Sequence, residues 1–80
     1  MDRIAVLGAG AWGTALAHIA AENGKRVTLW AREPEVVADI NEKRRNTLFL
    51  PDVELNGSIA ATNDQAAALA DAQAVLLVIP

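Results

Sequence analysis

The sequence predicts an α/β domain in which helices cover both faces of a parallel sheet of about four strands. Two observations lead to this class. Short apolar, partly β-branched stretches alternate with segments of helical character along all 80 residues. The last of these stretches, residues 74–79, is a continuous apolar run, which is typical of a parallel strand buried on both faces. Strands that alternate with helices pair in parallel through right-handed crossovers.

Seven elements are expected, in the order β-α-β-α-β-α-β. The strands are placed at residues 3–7, 26–30, 59–62 and 74–79, and the helices at residues 12–23, 34–45 and 65–70. Residues 46–58 are expected to form a loop, because they contain Pro51 and the turn signal Asn56-Gly57.

Local signals set the helix ends and the buried helix faces. Gly24 is expected to end the first helix in the left-handed conformation. Pro34 suits the first turn of the second helix, and Asn63 or Asp64 can cap the third. The apolar spacing predicts two buried faces, which are Ala15, Leu16, Ile19 and Ala20 in the first helix and Val36, Val37 and Ile40 in the second.

The turn between the first strand and the first helix carries a dinucleotide-binding pattern, Gly8-Ala9-Gly10-Ala11-Trp12-Gly13. Gly8 lets the chain turn sharply, Gly10 leaves room for a pyrophosphate against the backbone, and Gly13 lets the helix pack against the strand. The N–H groups and the positive dipole end of the helix then face the phosphates. The pattern predicts a Rossmann-type domain. The alternative is a glycine-rich turn that binds nothing.

The end of the second strand bears on which dinucleotide is bound. The NAD fingerprint has an acidic residue there, which binds the ribose 2′-hydroxyl. In this chain Ala31 takes that place and Arg32 follows it. An arginine can pair with a 2′-phosphate, which favours NADP(H). Glu33 is also within reach of the ribose, so NAD(H) stays open, and a solvated surface charge is the alternative for Arg32.

Other residues carry weaker signals. Trp12 either walls the cofactor cleft or packs in the core, and Trp30 is expected in the core or on the wall of an adenine pocket. His18 lies mid-helix and is expected at the surface or its boundary. No His, Cys or acidic cluster has metal-ligand spacing, and Ser58 has no evident base partner. The residues therefore predict no metal site and no catalytic residue.

The composition excludes several function classes. The net charge is −3 and no basic cluster exceeds Lys43-Arg44-Arg45, which argues against a nucleic-acid surface. The chain has no cysteine, which excludes disulfides and thiolate metal sites. No unbroken apolar run is long enough to cross a membrane. The uncharged balance at the N-terminus and the glycines in the apolar run do not fit an export signal, so we expect a cytoplasmic domain.

Five segments together resemble one family. They are residues 8–17, Val27-Thr28-Leu29-Trp30-Ala31-Arg32, Asn46 with Phe49-Leu50-Pro51, residues 59–64, and Leu76-Leu77-Val78-Ile79-Pro80. In this order and spacing they resemble the N-terminal part of the bacterial NAD(P)-dependent glycerol-3-phosphate dehydrogenases. The resemblance spans the whole chain. It implies reversible hydride transfer, in which NAD(P)H reduces dihydroxyacetone phosphate to sn-glycerol 3-phosphate, a phospholipid precursor.

The resemblance also implies roles for particular residues beside the three glycines. It places Ala11 and Trp12 at the pyrophosphate and ribose, and Arg32 with Glu33 at the adenosine end. Two departures weaken particular hydrogen bonds, because Ala11 stands where the family often has Ser and an aromatic position has Phe where Tyr is common. The aromatic residue is Phe49, which the resemblance places on the lining of the cofactor cleft. Pro80 is placed where the last strand approaches the nicotinamide.

The resemblance places the catalytic lysines and a helical substrate domain beyond residue 80. Residues 1–80 are therefore expected to be the N-terminal portion of a dinucleotide-binding domain that is inactive alone. A small phosphorylated substrate would bind through the further domain, and the parent protein is expected to be a homodimer. Two alternatives are the cofactor domain of a related hydroxyacid or 3-hydroxyacyl-CoA dehydrogenase and a non-catalytic dinucleotide-binding module. A stable, soluble 80-residue protein that binds cofactor would favour the module.

Overall fold

A four-stranded parallel sheet with helices packed on it forms the fold, as the sequence predicts. The computed structural model describes residues 2–78. Along these residues the elements are β1 (Arg3–Leu7), α1 (Ala11–Glu22), β2 (Arg26–Trp30), α2 (Pro34–Lys43), β3 (Ile59–Thr62), α3 (Gln65–Leu69) and β4 (Ala74–Leu77). The predicted strands agree closely with these bounds, except that residue 79 of the last one lies outside the described residues.

The strand order is β3-β2-β1-β4, and every neighbouring pair is parallel. Val6 of β1 lies beside Leu29 of β2 and beside Leu76 of β4. The chain first moves outward from β1 to β3 and then returns to the other side of β1. The direction of winding therefore reverses between β1 and β4. In open α/β sheets this reversal opens a crevice at the carboxyl ends of the strands, where ligands bind.

The main core lies between one face of the sheet and helices α1 and α2. Alternate strand residues point to this face, and the helices close it with small or branched apolar side chains. A right-handed crossover from β3 back to β4 places α3 on the opposite face, where it packs on β1, β2 and β3. The buried cluster on the main face includes Val6, Ala17, Ala21, Val27, Leu29, Val36, Ile40, Leu55, Ile59 and Ala61.

The buried face of α1 differs from the one that the apolar spacing predicts. Ile19 is 57% exposed and Leu16 is 37% exposed, so the prediction for these two residues is wrong. The buried residues of the helix are small, and they are Gly13, Thr14, Ala17 and Ala21. Their spacing of about four places them on one face. Close approach of the helix to the sheet selects this face, because large side chains would hold the two apart.

The helix ends follow the local signals. Gly24 has a φ of 86° after α1, as predicted for a left-handed ending residue. Helix α2 ends at Lys43, earlier than predicted, because Arg44 adopts the left-handed conformation with a φ of 59°. The Arg44 side chain donates through Nη1 to the Ile59 carbonyl at 2.9 Å. Asp64 caps α3 by accepting from the backbone N–H groups of Ala66 and Ala67.

Strand β4 lies at an edge of the sheet and exposes much of its apolar surface. Val75, Leu76 and Leu77 are 48%, 40% and 66% exposed. The burial on both faces that the apolar run predicts is therefore not found within residues 2–78. Within the same residues, no helix combines the length and apolar character needed to span a bilayer.

Two isoleucines on neighbouring helices test which face is buried. Ile40→Ala should destabilise the fold by about 2–5 kcal/mol, because it leaves a cavity in the core, where Ile40 is 0% exposed. Ile19→Ala should change stability by less than about 0.5 kcal/mol, as is usual for a surface substitution. Urea unfolding followed by circular dichroism measures both values. Equal losses in the two variants would contradict the assigned face of α1.

Candidate functional site

A cleft of about 660 Å³ opens at the carboxyl ends of β1, β2 and β4. It lies at the reversal of strand order, where the topology predicts a ligand site. The glycine-rich turn forms one wall, and the end of β2 and the loop after α2 contribute others. The cleft is lined by Leu7, Gly8, Ala9, Gly10, Ala11, Trp12, Gly13, Trp30, Arg32, Glu33, Phe49, Gln65, Leu77 and Val78.

Two glycines of the turn are required by the fold itself. Gly8 has a φ of +120°, which side chains rarely tolerate, and its N–H donates to the Trp30 carbonyl at 3.1 Å. A Cβ at Gly8 would also overlap the carbonyl oxygen of Val78. A Cβ at Gly13 would overlap the carbonyl oxygen of Gly8. The roles predicted for these two glycines, a sharp turn and close helix packing, are confirmed.

Gly10 is different, because nothing in the described structure requires a glycine there. Its φ of −72° suits any residue, and a Cβ built on it meets no atom within 4 Å. Gly10 is also one of the residues that line the cleft. A side chain at this position would fill the space directly in front of the backbone. The geometry therefore fits a ligand that approaches the Gly10 backbone closely, as the pattern predicts.

The N-terminus of α1 lines the cleft, and its first backbone N–H groups have no side-chain cap among residues 2–78. Gly10 is its N-cap residue and supplies no side-chain hydrogen bond, and no acidic residue lies in the first turn. The first helical bond runs from the Thr14 N–H to the Gly10 carbonyl at 3.0 Å. The N–H groups before it have no acceptor within the helix. Together with the helix dipole, these donors form a site suited to phosphate oxygens.

Aromatic side chains flank this loop. Trp12 is 77% exposed and lines the cleft, so the alternative that it packs in the core is wrong. Trp30 is half-buried on the cleft wall, and its indole Nε1 is buried without an acceptor among residues 2–78. Phe49 reaches the cleft from the loop after α2. Flat apolar surfaces at these points suit a ligand with aromatic rings.

The residues after β2 lie beside the cleft, as the sequence predicts. Arg32 is exposed and Glu33 is half-buried at the start of α2, and both line the cleft. A cation and a carboxylate are therefore placed together at the end of β2. The sequence did not single out Gln65, which contributes to the same end of the cleft from α3. Pro80, also expected at the site, lies outside the described residues.

A buried polar group connects the glycine-rich turn to the loop that carries Phe49. Asn46 and Thr14 are both 0% exposed. The Asn46 Nδ2 atom donates to the Thr14 Oγ1 atom at 2.8 Å.

The Asp39 carboxylate, away from this buried pair, accepts from the Thr47 N–H at 2.7 Å. That bond lowers the pKa of Asp39, with help from Lys43 and Arg45.

Two further expectations concern groups away from the cleft. His18 is half-buried on α1, where its Nδ1 atom accepts from the Asn56 N–H at 3.1 Å. This agrees with a boundary position, and the side chain holds the turn before β3. Within residues 2–78, no three His, Asp or Glu side chains are grouped as ligands for a metal ion.

Residues 3–80 match the family model described as the N-terminus of NAD-dependent glycerol-3-phosphate dehydrogenase. The chain belongs to this family. The glycerol-3-phosphate dehydrogenase (NAD(P)+) of Rhodospirillum rubrum is 56% identical over 80 residues, covering 100% of this chain and 23% of that protein. The enzyme of the same name from Citrifermentans bemidjiense is 51% identical over 79 residues, covering 99% of this chain and 24% of that protein.

The fold comparison agrees with this membership. The crystal structure of glycerol-3-phosphate dehydrogenase from Coxiella burnetii matches 99% of this chain with a TM-score of 0.90 and 37% sequence identity. The match covers 24% of that chain. The 80 residues thus span about a quarter of the length of the family members they match. The resemblance read from the motifs is confirmed over the whole chain.

Most of the cleft residues belong to the motifs by which the sequence resembles the glycerol-3-phosphate dehydrogenase family. The motif predicted the glycines, Trp12, Arg32 and Phe49, and the structure brings all of them to one cleft. The bonding of Asn46 was missed. Its signal was present, since an asparagine stands three residues before Phe49 in the quoted motif. Burial of that asparagine and its contact with Thr14 depend on tertiary packing, which residue spacing does not reveal.

Proposed function

We propose that residues 1–80 form the N-terminal portion of the cofactor-binding part of an NAD(P)-dependent glycerol-3-phosphate dehydrogenase. The reaction would reduce dihydroxyacetone phosphate to sn-glycerol 3-phosphate and supply a precursor of phospholipids. The observation that carries the proposal is the uncapped N-terminus of α1 behind Gly10, whose glycine identity the fold does not require. Family membership supports the cofactor class and the reaction.

The glycine-rich turn would hold the pyrophosphate. The free N–H groups at the start of α1 can donate to phosphate oxygens, and the open space at Gly10 lets those oxygens reach the backbone. Ala11 offers only its backbone, since it has no hydroxyl. Trp12 would cover the bound group from the solvent side, because its side chain stands exposed at the cleft rim. Excluding water in this way strengthens the hydrogen bonds to the phosphates.

The end of β2 would hold the adenosine ribose. Arg32 can form charge-assisted hydrogen bonds with a 2′-phosphate, which favours NADP(H). Glu33 can accept a hydrogen bond from a 2′-hydroxyl, which keeps NAD(H) as a usable cofactor. Both residues line the same end of the cleft. We propose that the chain binds both dinucleotides and prefers the phosphorylated one.

The opposite end of the cleft would receive the nicotinamide. When bound, the reduced nicotinamide supplies the hydride that the ketone carbon accepts, and a proton on the oxygen completes the alcohol. Phe49 and Leu77 line the cleft with apolar surface, and Pro80 is proposed to approach the ring. We assign no catalytic residue within this chain. The transfer needs the phosphorylated substrate held against the ring, and we propose that further protein does this.

The setting of the whole protein is also proposed. We propose that the whole protein is a homodimer in the cytoplasm, where nicotinamide dinucleotides and phosphorylated metabolites are available. The exposed apolar side chains of α1 and β4 supply surface that further protein can cover. The acidic balance of the chain, with a net charge of −3, gives no support to nucleic-acid binding.

Gly10→Ala tests the proposed pyrophosphate contact. The variant should bind NADH at least about tenfold more weakly, a loss of about 1.4 kcal/mol, because its methyl group fills the space in front of the backbone. Stability should change by less than about 1 kcal/mol, since the φ at Gly10 suits alanine. Tryptophan fluorescence measures binding, and urea unfolding measures stability.

Gly57→Ala is the matched control for this substitution. A Cβ at Gly57 also meets no atom within 4 Å, and the residue lies in the turn before β3, away from the cleft. NADH affinity should be unchanged. If Gly10→Ala binds NADH as tightly as Gly57→Ala does, the proposed contact is wrong.

Arg32→Gln tests the preference for NADP(H). The unaltered chain should bind NADPH about tenfold more tightly than NADH, and the variant should lose that ratio through weaker NADPH binding. Arg26→Gln is the control, because Arg26 begins β2 at the end of the strand opposite to the cleft. It changes the net charge equally and should keep the ratio. If the ratio of NADPH to NADH affinity is unchanged in Arg32→Gln, Arg32 does not bind the 2′-phosphate.

A chimaera tests the proposed reaction. Residues 1–80 would replace the aligned 80 residues of the Rhodospirillum rubrum enzyme, to which they are 56% identical. The chimaera should reduce dihydroxyacetone phosphate with NAD(P)H at a kcat within about tenfold of the parent, which corresponds to about 1.4 kcal/mol in activation free energy. A folded chimaera that binds NADH but reduces no dihydroxyacetone phosphate would contradict the assignment to this reaction.

A further inference from the structure

Asn46 is a fully buried polar side chain that lies directly behind the glycine-rich turn. It is 0% exposed, and 37 positions separate it from Ala9, to which it is bonded. Buried amides cost stability unless they are hydrogen-bonded. The hydrogen-bond partners of the Asn46 side chain therefore show which parts of the backbone it holds in place.

The Asn46 side chain bonds to both walls of the cleft. Its Nδ2 atom donates to the Ala9 carbonyl at 2.9 Å and to the Thr14 Oγ1 atom at 2.8 Å. Its Oδ1 atom accepts from the Phe49 N–H at 3.2 Å. The partners fix the orientation of the amide, since a carbonyl can only accept and a backbone N–H can only donate. The glycine-rich turn and the Phe49 loop are thereby joined through one side chain.

The Ala9 carbonyl is held from a second direction as well. The Thr14 hydroxyl donates to it at 3.3 Å, while the same hydroxyl accepts from Asn46. The peptide unit that contains this carbonyl also contains the Gly10 N–H. Because that unit is planar and trans, the carbonyl and the N–H point in opposite directions. Holding the Ala9 carbonyl toward Asn46 therefore directs the Gly10 N–H away from the buried side.

We propose that Asn46 is a positioning residue for the dinucleotide site, acting together with Thr14. Its amide fixes the Ala9–Gly10 peptide plane and the backbone at Phe49 as one unit before a dinucleotide arrives. Fixing donors in advance strengthens binding, because less ordering is left to occur on association. Neither side chain lines the cleft, so both act through the groups they hold. The inference rests on the proposed function, dinucleotide binding at this cleft.

Asn41 provides a comparison with the same chemistry in another place. Its Nδ2 atom donates to the Ala61 carbonyl at 2.9 Å, and its Oδ1 atom accepts from the Ala61 N–H at 2.8 Å. These bonds tie α2 to β3, and neither residue lines the cleft. Asn41→Ala therefore removes side-chain bonds to the backbone without touching the glycine-rich turn. The NADH affinity of Asn41→Ala therefore shows the effect of losing structural hydrogen bonds away from the cleft.

The test compares NADH dissociation constants of the unaltered chain, Asn46→Ala and Asn41→Ala, each measured where circular dichroism shows the chain to be folded. Asn46→Ala should weaken NADH binding at least about tenfold, and Asn41→Ala by less than twofold. If Asn46→Ala does not fold, Thr14→Val replaces it, because valine keeps the shape of threonine and removes only the hydroxyl. Thr14→Val should weaken NADH binding several-fold, and Thr14→Ser should restore it.

Amide hydrogen exchange of the ligand-free chain adds a readout that needs no dinucleotide. Thr14→Val should raise the exchange rate of the Phe49 amide several-fold, because the Asn46 side chain that accepts from this N–H loses one of its anchors. Asn41→Ala should leave that rate unchanged. A substitution at Thr14 can change the exchange rate of the Phe49 amide in this way only through Asn46, which is bonded to both residues.

The outcomes separate the inference from the proposed function. If the unaltered chain binds NADH and the Asn46 and Thr14 variants bind it as Asn41→Ala does, with Phe49 exchange unchanged, the positioning role is overturned. If the folded, unaltered chain binds no NADH or NADPH, the proposed function is overturned, and the role for a dinucleotide falls with it. Weaker NADH binding together with faster Phe49 exchange supports the positioning role.

Discussion

The contact between the start of α1 and the turn after β1 is the constraint on which the rest of the structure depends. Gly13 lies so close to the Gly8 carbonyl that a Cβ would overlap it, and Gly8 in turn lies against the Val78 carbonyl. One turn, one helix and the segment after β4 therefore meet without intervening side chains. This contact brings the N-terminus of α1 to the edge of the sheet where the strand order reverses.

The composition of the surrounding elements follows from that close approach. Helix α1 must present small residues to the sheet, so Ala17 and Ala21 are buried and Ile19 turns outward. Its first N–H groups have no side-chain cap, in contrast to α3, which Asp64 caps. A helix N-terminus without a side-chain cap leaves its first N–H groups able to donate to a phosphate.

Much of this arrangement was predictable from the sequence, and the exceptions share a physical cause. Strand positions and the glycine pattern depend on neighbours in the chain, so spacing predicted them well. The buried face of α1 was mispredicted, because hydrophobicity favoured Leu16 and Ile19 whereas the short distance between helix and sheet selected alanine. The bonds from Asn46 to the glycine-rich turn and to α1 were not foreseen, since Ala9 and Thr14 lie 37 and 32 positions away from it. Contacts across such separations appear only once the helix and the loop are packed together.

Amide chemical-shift mapping by NMR tests the central claim most directly, and an 8.4 kDa chain suits the method. The ¹⁵N-labelled chain would be titrated with NADH. The account predicts that the largest shifts fall on residues 10–13, with further changes at Arg32 and Phe49 and none at Ile19. A well-dispersed spectrum in which the amides of residues 10–13 stay unmoved, or in which the largest shifts lie at the amino ends of the strands, would contradict it.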